Sequence, residues 1–304
     1  MSGSAATSLL PMGVEVPFAD IEAALGRSGE EDGKRALTAT FVIVGPPERL
    51  TEAARTLEQL TDIGVRAILI SYGPNAAPAV RVVDHAVALE GLRPEYLNNA
   101  VAALRLSSLP TVVWWRGGDV KTLDGLAGLA DRLVFDVEDP RPVWARAVGL
   151  VGRTAVSDLH WTRLTRWRAL MAHFFDIPEV RTASAAFNRL VIEGTDVYAA
   201  RLFAGWLSSS LRSKPGIAFD FGTRPGGAPI ASIAFGDASQ ELTLRLGPSG
   251  ACVETAINVE NHSSSSRIVS LGEQGLAVLI GEELRIRSRD LAFERAVVAA
   301  QGVA

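Results

Sequence analysis

ALTATFVIVG at residues 36–45, then Pro46-Pro47, then VRAILISY at 65–72, are the segments that decide how this chain folds. Both runs are apolar and rich in β-branched side chains, the pattern of strands buried on two faces. Between them, the two prolines sit where a first helical turn tolerates them, and helical spacing continues to about residue 60. A buried strand, a helix and a second buried strand form a parallel unit, which needs helices to cover its faces.

The same rhythm continues outward. Residues 79–89 (AVRVVDHAVAL) alternate like a third, half-exposed strand. Helical spacing at 94–106 leads into TVVWW at 111–115, another buried strand. A short helix at 123–129, a strand at 132–137 and a helix at 142–149 follow. This predicts an α/β domain over 36–152, with a mainly parallel sheet and helices on both faces. Residues 1–35 precede it, with a short helix expected at 16–25. After about Gly152 the pattern changes. Helices are expected at 158–175 and 196–211, strands at 217–221, 229–235, 241–246, 252–259 and 267–271, and a helical close over 272–300. Residues 153–304 therefore read as an α+β domain with a largely antiparallel sheet.

Composition removes several function classes. A net charge of −4 over 304 residues predicts no nucleic-acid partner. No apolar run reaches the length of a membrane span, and the first basic residue is Arg27, so neither a membrane anchor nor a secretory leader is expected. Cys252 is the single cysteine, which leaves no internal disulfide or multi-cysteine metal site and fits a cytoplasmic setting.

The chemistry-bearing motifs of α/β enzymes are missing. The first strand-to-helix turn reads Gly45-Pro46-Pro47-Glu48, where two prolines lack the amide donors that cradle a phosphate and Glu48 would repel one. The chain has no G-x-G-x-x-G and no G-x-x-x-x-G-K-[ST], so no cofactor is expected. His85, His160, His173 and His262 lack metal-ligand spacing, no G-x-S-x-G elbow occurs, and Cys252 reads as a structural thiol within a strand. No catalytic set emerges.

One segment departs from the average. Between Arg141 and Arg189 lie eight arginines, no lysine and only three acids, Asp158, Asp176 and Glu179. Arginine without lysine suits planar partners such as carboxylates, phosphates and aromatic rings. At its centre stands DLHWTRLTRWR, 158–168. On a helical wheel Leu164, Trp167, Met171 and Phe174 make a core-facing stripe, Arg163 and Arg168 flank it, and Arg166 and His173 point away. Two readings stand side by side: a core helix whose arginines reach solvent or pair internally, and an interface element rich in hot-spot residue types. The same choice applies to Trp114-Trp115-Arg116, at the strand end where α/β domains place ligands. The arginine cluster also admits a sugar-phosphate-binding sensor or enzyme.

The DLHWTRLTRWR segment resembles the hallmark of the OpcA family, the glucose-6-phosphate dehydrogenase assembly proteins of cyanobacteria and actinobacteria. So do LPTVVWW at 109–115 and LAGLADRLV at 126–134, and more weakly 21–25, 36–45 and GEELR at 281–285. The resemblance implies a cytoplasmic protein without catalysis of its own, an assembly factor or allosteric activator whose partner is glucose-6-phosphate dehydrogenase in the oxidative pentose phosphate pathway of glucose metabolism. Trp114, Trp115, Asp158, Trp161, Arg163, Leu164, Trp167 and Arg168 match its motif positions. Arg166 stands where many members carry proline. Some cyanobacterial members are linked to thioredoxin control, and a chain with only Cys252 lacks the internal disulfide such a switch would use.

Overall fold

The computed structural model describes residues 9–10, 13–25, 36–60, 62–72, 78–211, 217–223, 227–260, 265–286 and 288–302. They divide into two units. The first runs to Ser157 and takes in Leu276–Arg289; the second comprises Asp158–Gly275 and the segment from Asp290 onward.

The first unit is built on an eight-stranded sheet in the order Val14–Glu15, Ala79–Val83, Ala86–Leu92, Val65–Tyr72, Ala39–Gly45, Thr111–Trp115, Arg132–Phe135, Ala155–Asp158. Strand Ala39–Gly45 pairs in parallel with both Val65–Tyr72 and Thr111–Trp115, and all seven of its residues are buried, as a strand covered on both faces requires. Helix Pro47–Gln59 packs on Ala39–Gly45 and Val65–Tyr72, and helix Leu97–Leu104 on Val65–Tyr72. The chain builds outward from Ala39–Gly45 on one side, then returns to place Thr111–Trp115 on the other. These two strands flank the crossover point of the sheet.

Residues 79–89 are not one strand. Asp84, at φ +48°, turns the chain between Ala79–Val83 and Ala86–Leu92, which pair antiparallel. Aspartate is among the few residues that tolerate this conformation. Helix Leu276–Arg285 lies far along the chain from this sheet, yet it packs with helix Pro47–Gln59 of the first unit. Its Glu283, 2% exposed, accepts hydrogen bonds from Arg132 Nε at 2.7 Å and Ser157 Oγ at 2.9 Å.

The second unit has a six-stranded sheet ordered Ala218–Thr223, Arg189–Gly194, Ser232–Gly236, Glu241–Leu246, Cys252–Asn258, Ser265–Ser270. The first pair is parallel and the remaining pairs are antiparallel. Strand Arg189–Gly194, unmarked in the sequence pattern, is an inner strand of this sheet. Helices Thr165–Phe174 and Val197–Ser210 cover one face. Helix Val197–Ser210 crosses Leu291–Ala300 closely: a Cβ on Gly205 would stand 2.4 Å from the Ala296 carbonyl oxygen, so only glycine permits the approach.

Candidate functional site

Asp158 ends strand Ala155–Asp158 in an extended conformation and starts helix Leu159–Arg163. Its carboxylate accepts the His160 amide at 2.8 Å, an N-cap, and its carbonyl accepts the Thr162 hydroxyl at 3.1 Å. The 158–175 helix expected from sequence is two helices. The first stops at Leu164, and Thr165–Phe174 begins there. Leu164, Trp167, Met171 and Phe174 are buried, and Arg166 and His173 are exposed, as their wheel positions dictate.

Trp161 is buried and tilted against Phe293 at 5.7 Å between centroids. Its indole Nε1 donates to Asp290 Oδ2 at 2.7 Å, while Asp290 Oδ1 accepts the amides of Ala292 and Phe293. One carboxylate thus caps the last helix and anchors the motif tryptophan. The guanidinium carbon of Arg168 lies 3.5 Å from the Trp161 ring centroid, a cation–π contact on a half-buried side chain.

His160 has a partner the sequence pattern does not disclose. Its Nδ1 lies 2.7 Å from Asp196 Oδ2, and Asp196 caps helix Val197–Ser210 through the amides of Tyr198 and Ala199. Burial pushes the Asp196 carboxyl up. The hydrogen bond and charge of His160, the Ala199 amide and the Arg163 charge outweigh it and hold the group below the usual carboxylate range. The signal available in sequence was local: an aspartate directly before a helical stretch.

In the first unit, Trp114 and Trp115 are both buried. Trp114 stacks on Phe41 at 6.1 Å, and Trp115 meets Phe135 edge-on at 6.5 Å. Arg116, 3% exposed, passes over Trp114 at 4.6 Å. It donates to Asp136 from Nε at 2.9 Å, to Glu52 from Nη2 at 2.6 Å and to the Arg49 carbonyl from Nη1 at 2.6 Å. This is the C-terminal edge of the two strands flanking the crossover, where open α/β sheets take ligands. Here the Arg116 guanidinium sits between two carboxylates, and a Cβ on Gly45 would lie 3.1 Å from that of Arg116, so the two strand ends are in close contact.

The eight arginines do not gather into one basic site. Arg141 pairs with Asp139 and Arg146 with Asp124, Arg153 donates to the Asp124 carbonyl, and Arg189 reaches Asp220 at 3.3 Å. Arg163 and Arg168 belong to the motif described above, and Arg166 and Arg181 are exposed. The candidate residues form two separate clusters, Trp114-Trp115-Arg116 in the first unit and 158–168 in the second.

Residues 154–297 match the family described as the C-terminal domain of the glucose-6-phosphate dehydrogenase subunit, and the match spans the whole tryptophan-arginine motif. The chain is also 24% identical over 307 residues to the putative OxPP cycle protein OpcA of Synechocystis sp., covering 85% of this chain. The two matches support an OpcA-family protein. The chain spans 64% of the length of that curated relative. Among solved structures, apo levoglucosan dehydrogenase aligns over 88% of this chain and 96% of its own at 7% identity and a TM-score of 0.48. A super-repressor mutant of Gal80p from Saccharomyces cerevisiae aligns over 82% and 83% at 9% identity and a TM-score of 0.46. Among the described residues no group of three or more histidine, cysteine, aspartate or glutamate side chains is placed to hold a metal ion, and no helix is long and apolar enough to cross a membrane.

Proposed function

We propose that this chain is a non-catalytic partner of glucose-6-phosphate dehydrogenase that assembles with the enzyme and activates it in the cytoplasm. The observation that carries the reading is the family match over 154–297, whose description is a subunit of that dehydrogenase and whose span holds the motif. Geometry supports a division of labour inside the motif. Asp158, Trp161, Leu164, Trp167 and Arg168 build the core of the second unit, through the cap, the Asp290 bond and the ring contact. Arg166, Ala169 and His173 are left on the open side of helix Thr165–Phe174, with Arg163 half-exposed nearby in sequence. The exposed Arg166 on this face suits a carboxylate on the enzyme, while His173 lies 3.2 Å from its neighbour Asp176. The reading of no independent catalysis is supported by the first strand-to-helix turn, Gly45-Pro46-Pro47-Glu48, which lacks phosphate-cradling amides, and by the buried pairing of Arg116 with Asp136 and Glu52 beside it.

Comigration tests the reading. Mixed with its cognate dehydrogenase, the chain should shift to the enzyme's elution volume on a sizing column and saturate at a fixed ratio. Independent elution at every ratio would overturn it.

A further inference from the structure

The outward face of the second unit's sheet carries a charge order that is complementary to itself. Leu190, Ile192, Ile233, Leu242, Leu244 and Ile257 point inward and are buried. The alternate residues form three rows across the strands. The middle row, set by the pairing register, is Asp220, Val191, Ala234, Thr243, Ala256 and Ser266, small apart from Asp220 on the outer strand. One flanking row reads Glu193, Ser232, Arg245, Glu254 and Ile268; the other reads Arg189, Gly236, Glu241 and Asn258. Arg189, Glu241, Arg245, Glu254 and Asn258 are exposed, and Ile268 is 76% exposed.

Two strands carry opposite charges on either side of the middle row: Arg189 and Glu193 on one, Glu241 and Arg245 on the other. A half-turn about an axis lying along the middle row lays that row over its own copy and each flanking row over the other. Strand by strand, Glu193 then meets Arg189 of the second copy and Arg245 meets Glu241 of the second copy, and symmetry repeats both pairs. Ser232 lies over Gly236 and Glu254 over Asn258, so no like charges coincide in the flanking rows. Asp220 falls in the middle row on the outer strand and so meets Asp220 of the second copy, a like-charge contact at the rim that Arg189, 3.3 Å from Asp220 in each copy, offsets while it also faces Glu193. The small middle row lets two sheets approach to about 10 Å, the usual spacing of aligned sheet packing.

We infer that this face is a two-fold interface between copies of this chain. Five-residue strands in a six-strand sheet make a platform of about 29 by 17 Å, at the small end of specific interfaces, so the dimer is concentration-dependent. The inference is independent of the dehydrogenase reading.

Sedimentation velocity on the full chain over a wide concentration range tests it, with Arg245→Glu and the charge-swapped Arg245→Glu/Glu241→Arg. Both positions are exposed, so circular dichroism should be unchanged, and because the like-charge pair with Glu254 on the neighbouring strand is common to both variants, their melting temperatures should agree with each other. The wild-type chain should dimerise, Arg245→Glu should weaken the dimer by about tenfold or more through like-charge contact, and the swap should restore it. A wild-type chain that stays monomeric throughout would overturn the inference. So would a single variant that dimerises like wild type, or a swap that fails to restore association.

Discussion

Arg116, Arg132 and Arg168 are motif arginines whose surroundings determine their work. Arg132 and Glu283 are both nearly inaccessible and bonded at 2.7 Å, a pair brought together across 151 residues. Removing one partner from such a pair leaves a buried charge alone, so Glu283→Ala should cost about 3 to 5 kcal/mol, read as a lower urea midpoint. Trp167, 4% exposed on the core stripe, behaves like other large core side chains: Trp167→Ala should cost about 3 to 5 kcal/mol. Arg166 lies on the other side of the same helix, and Arg166→Glu should move stability by less than about 0.5 kcal/mol. The inward and outward division of 158–174 was legible in sequence because a helical wheel needs only local spacing. The partners were not. Nothing near Trp161 indicates Asp290, and nothing near Arg132 indicates Glu283, since both bonds depend on where the chain returns.

The buried strands at Ala39–Gly45 and Thr111–Trp115 were plain in sequence because a strand covered on both faces is a continuous apolar run. Strand Arg189–Gly194 was not, because its apolar part is only Leu190-Val191-Ile192, with Val191 on the outward face breaking the alternation. The hairpin at 79–92 was hidden because Asp84 interrupts an otherwise regular alternation. Helix Val197–Ser210 yields a test in pH. Its cap, Asp196, has a folded pKa held below that of the unfolded chain. The folded state therefore binds fewer protons, and the stabilisation is complete above the ordinary carboxylate range and is lost as pH falls through the folded value. Asp196→Ala should cost about 0.5 to 2 kcal/mol near neutral pH, with the gap to wild type closing in acid. Equal gaps at neutral pH and in acid would show that the carboxylate charge is not what the cap uses. At the crossing of this helix with Leu291–Ala300, Gly205→Ala should cost about 1 to 3 kcal/mol, because a Cβ has no room beside Ala296 and Ala300.

At the scale of the molecule, a mainly parallel α/β sheet and a largely antiparallel second sheet follow from the change of rhythm along the chain. The membership of Leu276–Arg285 in the first unit does not, because contact along the chain is no guide to a helix that returns through Glu283. The central claim is that the chain acts on glucose-6-phosphate dehydrogenase and does so through the outward arginine face of the motif. The most direct measurement is the initial rate of NADP reduction by the cognate dehydrogenase, titrated with wild-type chain and with folded Arg166→Glu. The account predicts a saturable rise with wild type and a clearly weaker or right-shifted rise with the variant. A flat rate with wild type would contradict the partner role, and identical curves for the two proteins would remove this helix face from the contact.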